Sequence, residues 1–263
     1  MESILMLKLK SLFSVAMIAT LLITSSAFAV VGKTKKQATF KVKIDNISTG
    51  EIESANGAKY PFAISPGLFI VNHKKQYFFE VGNKADNALE LLAEDGNPES
   101  LSKKLLTKVG GLNLGVFNTP LGADKPGPLL PGGSFEFTFS AEEGMRLNLL
   151  TMFGQSNDLF YAPQSALDLF DKDGNALSGD ITSSLLLWDA GTEVNQAPGV
   201  GDEQAPRQKM ANTGKAENGK VGLVKDAFTY PETKSVLRVT ISSEDSAGIK
   251  FLSSPRFQIR AAK

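Results

Sequence analysis

The sequence predicts an all-β chain folded as an antiparallel sandwich with one short helical insertion. Two observations carry this. Three segments alternate strictly between apolar and polar residues. Phe40, Val42 and Ile44 alternate with Thr39, Lys41, Lys43 and Asp45; Phe135, Phe137 and Phe139 with Ser134, Glu136, Thr138 and Ser140; Leu237, Val239 and Ile241 with Arg238, Thr240 and Ser242. A period of two puts each apolar set on one buried face of a strand. The rest of the chain is cut into short apolar runs by Gly, Pro, Asn and Asp clusters, the spacing of sandwich strands.

The first 29 residues read as a cleavable export signal. Lys8 and Lys10 give a basic start, residues 12–24 form an uncharged apolar run too short for a comfortable membrane span, and Ala27-Phe28-Ala29 offers small residues at a cleavage site. Cleavage after Ala29 leaves roughly 234 residues, expected to form one domain with its core at about 39–241. No cysteine follows the apolar run, which excludes lipid attachment through a thiol, and none occurs anywhere, which excludes disulfides. Stability then rests on core burial, to which a bound ion could add. The expected location is secreted, periplasmic or elsewhere in the cell envelope.

Removing Glu2, Lys8 and Lys10 from the 28 acidic and 28 basic residues leaves 27 and 26, so no excess of positive charge draws the chain to nucleic acid. Nor does the mature chain contain another apolar stretch long enough to span a membrane.

Weaker strand signals fall at residues 68–71, 77–79, 146–153, 166–170, 184–188 and 256–260. Helical spacing replaces them at 88–94 and 99–109, where Asn97 supplies a cap and Pro98 the first helical position. Residues 195–222 are polar, contain Pro198, Pro206 and five glycines, and follow neither period. A loop of that length is functional or disordered.

Most enzyme chemistries lack their residues. With no cysteine there is no thiol nucleophile or thiolate zinc site; the single histidine, His73, stands in a polar loop context without a second imidazole; and neither GxSxG nor a phosphate-cradling glycine loop occurs. The run from Asp171 to Asn175 has its glycine in the wrong place for an EF-hand and reads as a hairpin turn. Trp188 reads as core packing at a strand end.

Carboxylates at strand ends remain. Asp158 follows the strand ending at Phe153, while Asp189 and Glu193 follow the strand ending at Trp188, with Gly191 allowing the chain to turn back between them. Three carboxylates with carbonyls and water would suit a hard divalent cation; the same residues also suit Asx turns and loop caps.

Three ordered motifs stand out: Thr151-Met152-Phe153-Gly154-Gln155-Ser156-Asn157-Asp158-Leu159-Phe160, Leu187-Trp188-Asp189-Ala190-Gly191-Thr192-Glu193-Val194-Asn195 and Gln204-Ala205-Pro206-Arg207-Gln208. Together they resemble the bacterial branch of the spondin N-terminal domain family. Residues 62–71, 93–98, 115–120 and 131–134 fit the same pattern. The resemblance implies a C2-like antiparallel β-sandwich binding Ca²⁺ in loops at one end, and the family's animal members act in extracellular-matrix adhesion and microbial-surface recognition. Its S-x-D-x-F motif matches Ser156, Asp158 and Phe160, and its D-A-G-T-[DE] motif matches Asp189 through Glu193, so the implied ligands are Asp158, Asp189 and Glu193. The resulting expectation is an exported calcium-binding adhesion module, not an enzyme, whose ligand is a surface glycan, lipid or protein. The alternative is a metal-dependent envelope hydrolase in which the ion polarises a substrate oxygen.

Overall fold

Strict alternation produces the smaller of two facing sheets, and its loss produces the larger. The structure is a computed structural model describing residues 34–54, 57–73, 78–108 and 113–245. The expected export signal and the expected strand at 256–260 lie outside the described residues. Among those described, the strands are β1 (Gln37–Asn46), β2 (Glu51–Glu53), β3 (Lys59–Pro61), β4 (Ile64–Asn72), β5 (Asn113–Phe117), β6 (Ser134–Glu142), β7 (Arg146–Phe153), β8 (Leu159–Pro163), β9 (Leu167–Asp168), β10 (Gly179–Asp180), β11 (Leu185–Asp189), β12 (Gly222–Leu223) and β13 (Leu237–Asp245). The helices are α1 (Asn87–Asp95), α2 (Glu99–Lys108) and α3 (Thr233–Val236).

The first sheet runs β10-β13-β1-β6, with β1 antiparallel to both long neighbours. Val42 stands opposite Phe137 on one side and Ile241 on the other, and Ile44 opposite Phe135 and Val239. Because the register matches the pleat, all the apolar side chains of the three strands share one face. The opposite face carries polar pairs such as Lys41–Glu136 at 3.2 Å.

The second sheet runs β12-β11-β8-β7-β4-β5, with β9 added to β7. One face meets the first sheet through Phe69, Val71, Leu149, Phe153 and Tyr161. Its other face packs Leu68, Ile70, Leu150, Phe160 and Trp188 against Leu89, Leu92, Leu101 and Leu105 of the helical pair. The molecule therefore has three layers, and β4, β7 and β8 are buried on both faces.

The helical pair is capped as its residues require. Asp86 accepts from the N–H groups of Ala88 and Leu89, Gly96 ends α1 at φ 65°, and Asn97 Oδ1 accepts from Glu99 N at 3.0 Å. Two strand expectations change. Tyr77 lies outside the described residues, and Phe78 and Phe79 are irregular chain, held by packing: Phe79 stands 5.0 Å from the Trp188 ring and 5.1 Å from that of Phe160. Within 166–170 only Leu167–Asp168 joins a ladder, and Phe170 bridges to Ala176 across a tight turn. That turn is the hairpin expected at Asp171, whose carboxylate accepts from Asp173 N and Asn175 N. No helix of the described residues is long and apolar enough to cross a membrane.

Candidate metal centre

The acidic residues meet because of how β8 and β11 are paired. Asp189, the last residue of β11, stands opposite Leu159, the first of β8, so Asp158 and the chain leaving β11 emerge side by side. Ser156 shapes the approach to β8: its hydroxyl donates to Phe153 O and accepts from Leu159 N. Asn157, buried beside it, fastens the long polar segment by accepting from Gln196 N and donating to Gln196 Oε1.

Asp158 is fully buried, and its two carboxylate oxygens have different surroundings. Oδ2 accepts from Thr192 N at 2.7 Å, Thr192 Oγ1 at 3.1 Å and Glu193 N at 3.1 Å. Oδ1 is equally buried and has no hydrogen-bond partner among the described residues. Burial first, and the nearby Asp189 charge second, push this carboxyl up to about 7 despite the three donors. Asp189 is also raised by burial, although its Oδ1 accepts from Gly191 N at 2.6 Å and its Oδ2 from Asn195 Nδ2 at 2.7 Å.

The third carboxylate comes from the long polar segment. Residues 191–194 and 215–219 lie alongside one another: Val194 N donates to Lys215 O, Glu217 N to Thr192 O and Gly219 N to Gly191 O. Gly191 is required at this crossing because its φ is 68° and a Cβ there would stand 2.5 Å from Lys220 N. The pairing delivers Glu217, so that one oxygen each from Asp158, Asp189 and Glu217 lie within 4.8 Å of one another. Burial followed by Asp189 and Asp226 raises the Glu217 carboxyl. None of the three forms an ion pair with a described Lys or Arg.

The structure thus brings together Asp158 and Asp189 of the sequence-predicted set, and Glu217 joins them. Glu193 donates its backbone N–H to Asp158, but its carboxylate is not in the converging group; it is buried beside Gly214, where the charge of Glu94 on α1 is its strongest like-charged influence. Burial pushes Glu193 up to about 8 and Glu94 up to about 7. Glu217 was missed because only a non-local pairing places it. The available signal was an acid directly before the turn pair Asn218-Gly219, in a chain already turning at Gly191.

The donor set suits a hard cation: three carboxylates, with a further buried, partnerless oxygen, Asn195 Oδ1, on a side chain bonded to Asp189. His73 cannot serve these groups as a base. Its ring is exposed and contacts Gly144 O, at the Arg146 end of β7, whereas the acidic centre follows the Phe153 end, roughly 23 Å away at the rise of a strand. The chain matches no protein-family model and no curated protein.

Proposed function

We propose that the chain is an exported calcium-binding module, in which Asp158, Asp189 and Glu217 hold the ion and loops around it bind a surface glycan, lipid or protein. One observation carries the metal reading: a fully buried aspartate keeps one oxygen engaged by three donors and leaves the other partnerless, while its carboxylate converges with two more and pairs with no described cation. A buried unpaired carboxylate is costly unless it is protonated or coordinated. Glu193 acts on this centre through its backbone, orienting Asp158. The export pattern of the first 29 residues and the resemblance to spondin domains support the cellular setting and the adhesive role.

The size of the calcium effect follows from linkage. Extracellular calcium modules bind at roughly 10⁻⁴ to 10⁻³ M. At about 2 mM calcium and a dissociation constant of about 10⁻⁴ M, the stabilisation is on the order of 1.8 kcal/mol, a melting shift of about 4–7 °C. Magnesium, which dehydrates reluctantly, gives a smaller shift. Asp189→Asn and Glu217→Gln each reduce the calcium shift, and Asp189→Asn slightly raises the melting temperature in EDTA by relieving repulsion. Glu193→Gln leaves most of the calcium shift intact. Thermal melts of the unmutated protein that superimpose in EDTA and in calcium would overturn the metal reading. Glycan and lipid arrays probed with and without calcium test the adhesive role, which requires calcium-dependent binding without turnover.

A further inference from the structure

Residues 208–220 run between two firm anchors. Upstream, Gln204 is fully buried and its side chain donates to Ala197 O at 2.9 Å, while Arg207 Nε donates to Gly201 O at 2.8 Å. Downstream, the buried Val221 donates its N–H to Asn83 O and accepts from Gly82 N, and Gly222 enters β12 opposite Asp189. Neither anchor is fastened through a carboxylate.

The stretch between them buries none of its residues. Polar contacts hold it down: Gln208 Nε2 and Asn212 N donate to Asp95 Oδ1, Val194 N donates to Lys215 O, and Glu217 N and Gly219 N donate to Thr192 O and Gly191 O. Among the described residues, the two non-glycines with positive φ, Asn212 at 54° and Asn218 at 60°, both fall in it. A segment fastened by hydrogen bonds without apolar burial belongs to the least stable part of a fold. Its closed position is nevertheless specific. Gly214 rests against the buried Glu193 carboxylate, which leaves no room for a Cβ. Closure also brings an oxygen of Glu217 within 4.8 Å of oxygens of Asp158 and Asp189. Without a cation these charges repel one another and lift the segment; a cation between them holds it down.

We propose that residues 208–220 are a calcium-operated strap, closed by the ion through Glu217 and opened by its loss between the anchors at Arg207 and Val221. The strap rests on the calcium reading of the centre and adds a moving part to it. Opening uncovers Glu193 and releases Asp95 from Gln208 and Asn212, so the ion-free protein presents acidic groups that the closed strap covers or engages.

Lys209, Lys215 and Lys220 lie in the strap and are exposed. Digestion of the full mature chain at pH 8 with a lysine-specific protease that needs no calcium reads the open fraction, and fragment masses locate the cuts. At about 2 mM calcium and a dissociation constant of about 10⁻⁴ M, the open fraction falls about 20-fold relative to EDTA, and cleavage after these lysines slows by the same factor. Magnesium protects less. Gly214→Ala crowds Glu193 and changes none of the three ligands; it is expected to be cut rapidly even in calcium, with a melting temperature in EDTA near that of the unmutated protein. Thermal melts of the same samples report ion binding independently. Calcium that raises the melting temperature but leaves strap cleavage unchanged overturns the strap while the calcium centre stands, and so does undiminished protection of Gly214→Ala. Melts that superimpose in EDTA and in calcium overturn the calcium centre and the strap with it.

Discussion

Phe137→Ala is expected to cost about 3–5 kcal/mol of unfolding free energy, while Thr138→Ala, one residue along the same strand, costs under about 0.5 kcal/mol. The contrast comes from the pleat. Phe137 points between the sheets, where its ring stacks on Phe69 at 4.2 Å and lies 5.3 Å from Phe117, so one side chain of β6 joins β4 and β5. Removing it forfeits transfer energy and leaves a cavity that rings on both sheets cannot readily refill. Thr138 faces outward and is exposed. Urea unfolding of the two variants measures the difference; equal losses would show that the buried face is assigned wrongly.

In EDTA, stability should fall as pH rises from about 5 to about 8, and calcium should restore it at the upper end. Burial holds the carboxyls of Asp158 and Glu94 up to about 7 and that of Glu193 up to about 8. A carboxyl with a raised folded pKa keeps its proton in the native state over a range where the unfolded chain has lost it. The native state then binds more protons, and its advantage, complete below about pH 4, disappears as pH passes through 7 to 8. From Asp158 alone the full effect is on the order of 4 kcal/mol, of which between about 2 and 3 kcal/mol is lost between pH 5 and pH 8. Calcium needs the deprotonated oxygens, so it competes with the protons and stabilises far more at pH 8 than at pH 5. Urea midpoints in EDTA and in calcium at both pH values provide the measurement. A flat EDTA profile, or equal calcium stabilisation at the two pH values, would contradict it.

How legible each part of the molecule was depended on how many faces it buries. β1, β6 and β13 bury one face each, so their alternation named both the strands and their inward residues. β4, β7 and β8 lie between the first sheet and the helices, both faces are apolar, and the period that marks a strand is erased. β8 was missed for that reason. β10 and β12 are two residues long and exist only through their neighbours. The candidate centre divides in the same way. Asp158 and Asp189 sit at strand ends next to turn residues, a local pattern, whereas Glu217 is placed by hydrogen bonds to residues 191 and 192 from across a long polar segment.

The position of β1 sets the order in which the chain can be completed during synthesis. It is the first described strand, yet among the described residues it pairs only with β6, beginning at residue 134, and with β13, beginning at residue 237. Closing contacts over roughly 90 and 190 residues carries a loop entropy that nothing local offsets, and such topologies form slowly. While the N-terminal half is being made, β1 has neither of these partners to fold onto. A topology that delays its own closure in this way leaves β1 unpaired until β6 and then β13 have been synthesised.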